Sequence, residues 1–570
     1  MTDIYKFTQT RGILTPQQLY EKLRTLTKPI QLELITKTLM EIPSITCSTG
    51  EKDIADYLYA FLREFPIYKK YPELIWEQPI PGDTLQRKNI FAVLRGKKAP
   101  SKKTILYHAH YDTVGINDYG SWKDSAFNSE RLTGYFKHDS DQTLQKEARS
   151  GNWLFGRGSV DMKSGIAVHL LNLLEFSREL TDWSGNILLL LNPDEENDHT
   201  GIMTAVHELT RLQEMHGYQY KLAINNDYTT ALFKDDPYHY VYTGSAGKIL
   251  PCFAIFGNPV HVGESLKGLN PVLISSEINR RISSNMNLTE KIKGEYVLPP
   301  TCLYQRDTKE AYNVQTPLSS RMYFNYFLYE KNPDEAIELL KSEAEAACST
   351  VEQYMEKQYR LFNKRTKTSA DSDADWKCEV KTLQELSVTL KKKNIDIGKV
   401  WNQVKELSNT TDKRELCFEL VEALYNLVED KKPLVILFLA PPFIPHNYLN
   451  SKSEADKQIV KLLHETLIDT EKKSGLKFQT RRFFPFLSDS SFLTLKEGSS
   501  VLEHIKGNIP DKDFVETVPL EMIRGLNIPS VNIGVYGKDA HKHTERLYKP
   551  YSFDTLPDMI YSLTKKILHS

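Results

Sequence analysis

The sequence predicts an α/β protein built on a mixed, mostly covered sheet, with a smaller α+β unit inserted into it. Three observations lead there. Near-continuous apolar strands alternate with amphipathic helices over the first 241 residues, the texture changes at about Tyr242 and returns near Pro433, and several apolar strands end in bursts of acids and histidines. Strands that are apolar throughout are covered on both faces. Polar residues at the carboxyl ends of such strands can converge although they are distant in sequence.

Taken in order, "EKDIADYLYAFLREF" puts Ile54, Leu58, Phe61 and Leu62 on one helical face, and "NIFAVLRG" reads as a strand. "TILYHAH" is the next strand. "DMKSGIAVHLLNLLEFSREL" is a helix with Ala167, Leu170, Leu171 and Leu174 on one stripe, followed by the strands "NILLLLN" and "YKLAIN". From Tyr242, "KILPCFAIFG", a helix around "PVLISSEINRRI" and the segment "SSRMYFNYFLYE" predict the inserted unit. "NKRTKTSADSDADWK" is polar and reads as a surface linker. It opens a helical extension at about 363–432, with helices around "KVWNQVKEL" and "ELCFELVEALYNLVE", after which "PLVILFLAPP" restarts the strands. The expected division is therefore 1–241 with 433–570 as the main domain, and 242–432 as the insert.

A chain of 570 residues exceeds what one core usually serves. Lys plus Arg (73) nearly cancels Asp plus Glu (74), which removes the broad positive field that nucleic-acid binding needs. The start "MTDIYKFTQTRG" has no apolar run of signal-peptide type, and "PLVILFLAPPFIP" is too short and proline-rich to span a bilayer. The expectation is a cytoplasmic protein with neither nucleic-acid nor membrane partner. Six cysteines lie scattered without a CxxC pair, so any metal must be held by imidazole and carboxylate.

The polar bursts carry the chemistry. In "ILYHAHYDTVG", His110 and Asp112 are two apart and project to the same side of an extended backbone, which suits a metal ligand and the carboxylate that orients it. "LFGRGSVDMKSGIA" carries Asp161 where a glycine-rich turn opens a helix. "ILLLLNPDEEN" drops Asp194, Glu195 and Glu196 directly after a strand. "LAINNDYT" does the same with Asp227, and "SVNIGVYGKDAHKHTE" with Asp539, His541 and Glu545. Singly, each fits a helix cap, a solvated loop or a surface histidine. Four such strand ends exceed what caps require, and histidines with carboxylates but no cysteine match hydrolytic zinc chemistry.

In order and spacing, "HAHYDTV", "GRGSVDMKSG", "PDEEN" and "DAHKHTE" resemble the motifs of family twenty of the metallopeptidases, the group of carboxypeptidase G, aminoacylase and succinyl-diaminopimelate desuccinylase. The longer format, with "GKDAHKHTERLYKPYSF", is similar to a branch linked to arginine utilisation. The resemblance implies a zinc-exopeptidase-like catalytic domain and an insert of lid or dimerisation type, hence a homodimer through that insert. It implies two divalent ions, zinc first, with cobalt or manganese as alternatives. Asp161 would bridge them, His110 and Asp227 would complete one site, and Glu196 and His541 the other. Asp112 would orient His110, Glu195 would be the general base, and the Asp161–Met162 peptide would be cis.

From the insert, His261 in "GNPVHVGES" would help to stabilise an oxyanion, and Asn313 in "AYNVQTP" would meet the substrate. Ser488 and Asp489 in "FFPFLSDSSFL" resemble a loop beside the site. Two departures stand out. Tyr326 falls about where the family has a carboxylate-gripping arginine, which Arg481 and Arg482 could replace if they are not solvated surface. "EENDH" lacks the commoner glycine, and His199 either reshapes the pocket or caps the next helix, the cap being favoured.

The implied function is a metal-dependent amidohydrolase that cleaves an amide, carbamoyl or peptide C–N bond in a small amino-acid derivative of arginine or ornithine metabolism. A dipeptidase or carboxypeptidase is one alternative. A non-catalytic metal- and ligand-binding protein is another, against which the retention of Glu195 beside a full ligand set weighs.

Overall fold

The computed structural model describes residues 7–8, 12–367, 375–450, 452–484, 488–515 and 518–570. Two units emerge: Met1–Ser245, Asn447–Leu495 and Pro519–Ser570 form the first, and Ala246–His446 with Lys496–Val518 form the second.

The first unit is built on eight strands: β1 (Ile75–Pro79), β2 (Lys88–Arg95), β3 (Lys103–His110), β4 (Asn186–Asn192), β5 (Gln219–Asn225), β6 (Tyr238–Tyr242), β7 (Lys477–Arg481) and β8 (Ser530–Asn532). Their spatial order is β1-β2-β4-β3-β5-β8-β6-β7. The pairs β4–β3, β3–β5, β5–β8 and β6–β7 are parallel, whereas β1–β2, β2–β4 and β8–β6 are antiparallel.

Alternation along the central strands shows why they are apolar throughout. Ile105, Tyr107 and Ala109 join Ile187, Leu189, Leu191, Leu222 and Ile224 in one core cluster with helix α1 (Lys163–Arg178). Leu106, Leu188, Leu190 and Ala223, pointing the other way, are equally buried. Helix α2 (Thr200–His216) packs on β2 and β4, and its buried Ile202, Val206 and Leu209 lie outside that cluster, so both faces are covered. Helix α1 is buried on nearly every side rather than along one stripe, because the helix Lys28–Met40 and α3 (Leu556–His569) both pack on it. The strands β4, β3 and β5 are adjacent and parallel, so His110, the segment after Asn192 and the segment after Asn225 leave the sheet at one edge. That convergence places the site.

The second unit has a five-stranded sheet in the order Thr301–Asp307, Ser319–Leu328, Gly247–Phe256, Leu434–Ile444, Glu379–Thr382. The division differs from the expected one at two places. Leu434–Ile444, whose apolar texture suggested a return to the main sheet, pairs antiparallel with Gly247–Phe256, so the boundary falls after His446. Lys496–Val518 also belongs here: the Leu439 N–H donates to the Asn508 carbonyl at 2.7 Å, and the Gln384 N–H to Asn508 Oδ1 at 3.1 Å.

The helical extension comprises Leu383–Lys392, Ile397–Leu407 and Lys413–Asn426. The last packs on the sheet through Phe418 against Phe438 and through Tyr425 stacked on Phe256. The expected linker begins inside a helix, since Asn363–Thr366 closes Pro333–Thr366, and residues 368–374 lie outside the described residues. Among the described residues no helix is long and apolar enough to cross a membrane.

Candidate metal centre

Five side chains meet beyond the sheet edge in two sets that share one carboxylate. His110, Asp161 and Asp227 each offer a ligand atom within 4.8 Å of the others, and so do Asp161, Glu196 and His541. Asp161 sits between them, with Oδ1 3.1 Å from His110 Nε2 and Oδ2 3.0 Å from His541 Nε2. Glu196 Oε1 lies 3.1 Å from the same His541 nitrogen. His110 ends β3, Asp161 leads into α1 through a cis Asp161–Met162 peptide, and Asp227 follows β5.

Asp112 is fully buried and does two things at once. Its carboxylate approaches His110 Nδ1 at 3.4 Å, and it accepts the backbone N–H groups of Glu195 and Glu196, each at 3.1 Å. One residue therefore orients a ligand and fixes the loop that carries the two glutamates. An acceptor for the remote N–H of a ligating imidazole sets its tautomer and ring orientation.

The electrostatics call for positive charge. Burial, with the neighbouring Asp161, pushes the Asp227 carboxyl up to about 8, and the same two causes raise Glu196. Burial raises Glu195 well above the carboxylate range. Despite its own burial, Asp161 is held below that range by hydrogen bonds from His110 and His541, while Asp161 and Glu196 push His541 up to about 11. Four crowded acids balanced by two imidazoles fit a pair of divalent cations, and two nitrogen and three carboxylate donors without sulfur suit zinc, cobalt or manganese.

A surrounding shell escaped the sequence reading. Arg157, 1% exposed, donates to Glu545 Oε2 at 2.5 Å and to Asp118 at 3.0 Å; Glu545 Oε1 in turn accepts the Val160 N–H at 3.2 Å. This pins the turn that delivers Asp161. The Glu195–Glu196 loop is held similarly by Asp194, which pairs with Arg87 at 2.7 Å, caps α2 through the Thr200 N–H at 3.2 Å, and donates its own N–H to the buried Glu51 at 3.1 Å. Asn532 exchanges two hydrogen bonds with the backbone of Asp227. Glu545 showed as a strand-end acid without a role; Arg87 and Glu51 carry no sequence signal, since nothing local says that they reach this loop.

Arg157→Ala would leave Glu545 buried and unpaired beside Asp161. Breaking such a pair costs about 3–5 kcal/mol. The expected result is an unfolding free energy, from denaturant titration, lowered by that amount, and a loss below about 1 kcal/mol would refute the pinning role.

The remaining candidates separate. Ser488 accepts from Asn225 Nδ2 at 3.0 Å, and Asp489 accepts from Asn192 Nδ2 at 2.5 Å and His199 Nδ1 at 2.7 Å, so this loop is tied to the ends of β5 and β4. Arg481 lies over the Tyr240 ring at 5.5 Å beside Asp236, and Arg482 follows it, half-exposed. His261 and Asn313 belong to the second unit, where a bridge between His261 and Gln315 sets their loops side by side. Tyr326, also there, is buried and donates to the Leu288 carbonyl at 2.7 Å. His199 does not cap α2 with its side chain, contrary to the favoured expectation. Its left-handed backbone (φ 55°) turns the ring toward Asp489 and leaves the capping to Asp194.

The sequence profile of Peptidase family M20/M25/M40 matches residues 106–565. Protein RocB of Bacillus subtilis (strain 168) is 44% identical over 552 residues, 97% of each chain. The uncharacterized protein YqjN of the same strain is 33% identical over 541 residues, 94% of this chain and 95% of its own. The crystal structure of aminopeptidase PepT from Bacillus cereus ATCC 10987 superposes with a TM-score of 0.48 at 11% identity, covering 95% of this chain and 99% of that one.

Proposed function

The chain belongs to Peptidase family M20/M25/M40, and on that footing we propose that it is a dinuclear metal-dependent amidohydrolase acting on the C–N bond of a small derivative of a basic amino acid. The observation that carries the reading is the pair of ligand sets sharing Asp161, with Glu195 beside them on a loop anchored by Asp112. The arginine or ornithine side of the proposal rests on the resemblance of "GKDAHKHTERLYKPYSF" noted above.

Two divalent ions held there would supply activation of water at neutral pH and polarisation of the scissile carbonyl. The residues supply the rest. Glu195, free of the ligand sets, takes the proton of the attacking water and returns it to the leaving nitrogen. Asp112 keeps His110 and the Glu195–Glu196 backbone in register, and Arg157 with Glu545 does the same for Asp161. Ser488 and Asp489 are proposed to shape substrate binding.

The test is amine release from N-acyl, N-carbamoyl and dipeptide derivatives of arginine and ornithine by protein loaded with zinc, cobalt or manganese. Release from an N-acyl or N-carbamoyl substrate, lost in His110→Ala and His541→Ala together with bound metal, is the expected result. Release from dipeptides alone would replace the amidohydrolase with a peptidase. No release from any compound by the metal-loaded protein would overturn the catalytic reading.

A further inference from the structure

Beside the two ligand sets lies a third cluster, in which Glu195, His199 and Asp489 offer ligand-type atoms within 4.8 Å of one another; the proposed mechanism gives His199 no part. Its hydrogen bonds fix the donors. Asn192 Nδ2 donates to Asp489 Oδ2 at 2.5 Å, so Asn192 Oδ1 must accept, and it does so from His108 Nε2 at 2.8 Å. Asp489 Oδ1 then accepts from His199 Nδ1 at 2.7 Å. Both His199 and Asp489 are buried, and the His199 ring rests against Phe492 at 5.2 Å between centroids. The imidazole is thus clamped at Nδ1 by a carboxylate, and Nε2, on the opposite edge of the ring, remains available.

The backbone supports a purpose for this ring. His199 occupies the left-handed region at φ 55°, which a non-glycine residue keeps only when its surroundings demand it. Its side chain gives no cap to α2 in return.

We infer that His199 is a positioning residue for Glu195: held at Nδ1 by Asp489, it presents Nε2 to one oxygen of the Glu195 carboxylate and leaves the other oxygen to the reacting water. This rests on the assignment of Glu195 as the base. The arrangement repeats one step further out the logic of a base oriented by a hydrogen-bonded neighbour. One ring nitrogen of His199 lies within 4.8 Å of a Glu195 oxygen, near enough for a contact that forms when substrate is bound.

Two amides distinguish this role from a merely structural one. In His199→Asn the amide reaches the Nδ1 position and can keep the bond to Asp489, but it cannot reach Glu195. In His199→Gln the amide reaches the Nε2 position. The expected result, on a substrate that the unmodified protein hydrolyses, is a kcat about 10- to 100-fold lower in His199→Asn, with a smaller loss in His199→Gln and with KM and metal content unchanged in both. In a Glu195→Gln background, His199→Asn should cost nothing further. Retention of kcat in His199→Asn, or equal losses in both variants, would show that the ring only anchors Asp489 and overturns the inference.

A Glu195→Gln variant as active as the parent would instead sink the assignment of the base, which keeps the two failures apart. One readout needs no turnover. The ¹⁵N resonance of His199 Nε2 should shift in Glu195→Gln, and an unmoved resonance overturns the contact.

Discussion

Glu195→Gln should abolish nearly all turnover while keeping the metals, whereas its neighbour Glu196→Gln should lose metal first. The structure explains why adjacent carboxylates would fail differently. Both backbone N–H groups are spent on Asp112, so the loop conformation does not depend on either side chain. From that fixed backbone the Glu196 carboxylate turns to His541 Nε2 at 3.1 Å and joins the second ligand set, while Glu195 turns to the cluster with His199 and Asp489. An amide at position 195 preserves shape and removes proton transfer, a contribution of ~100- to 10,000-fold. At position 196 the amide replaces an anionic ligand by a neutral, poorer one. Metal content and hydrolysis rate, determined on both variants with one active substrate, decide the matter. A Glu195→Gln protein that turns over at the parental rate would require another base.

Much of this site was legible because its residues sit where parallel strands end. His110 ends an apolar strand, Glu195, Glu196 and Asp227 follow closely on others, and the order of those strands in the sheet makes the ends adjacent. The pattern of apolar run followed by polar burst is local, and hence readable. What holds the site in place is not. Arg157 reaches Glu545 across 388 residues, and Glu51 meets the Asp194 N–H across 143, so neither pairing leaves a trace in spacing.

The same limit explains the displaced boundary. Leu434–Ile444 is as apolar as β4, and composition identifies a buried strand without naming its sheet; pairing with Gly247–Phe256 decides that. His199 was misjudged for a different reason. A residue just before a helix invites a capping role, but a left-handed φ redirects its side chain, and backbone sign cannot be read from a histidine in a sequence.

Removal of the metals should abolish hydrolysis and leave a protein that becomes less stable as pH rises. The direction follows from the site's own groups. Asp227 titrates near 8 in the folded chain against 3.8 ordinarily, because burial and Asp161 oppose its ionisation. Between those values the folded state keeps a proton that the unfolded state has released. Stability therefore falls with pH across that window. His541, raised to about 11 by hydrogen bonds to Asp161 and Glu196, acts in the same sense: its contribution is complete below 6.5 and is lost as pH climbs toward the folded value. Asp161, held low, acts oppositely but only in acid, below 3.8.

Divalent cations would replace these protons as the balancing charge, so the loaded protein should lack most of the slope. Each ion at about 100 times its Kd adds ~2.7 kcal/mol to stability. Calorimetric Tm values of stripped and loaded protein at about pH 5 and about pH 8 provide the check, with the gap between them expected to widen toward the alkaline side. Parallel curves, or a stripped protein whose Tm rises over that range, would mean that the five residues are not the charge cluster described, and the metal assignment would fall with it.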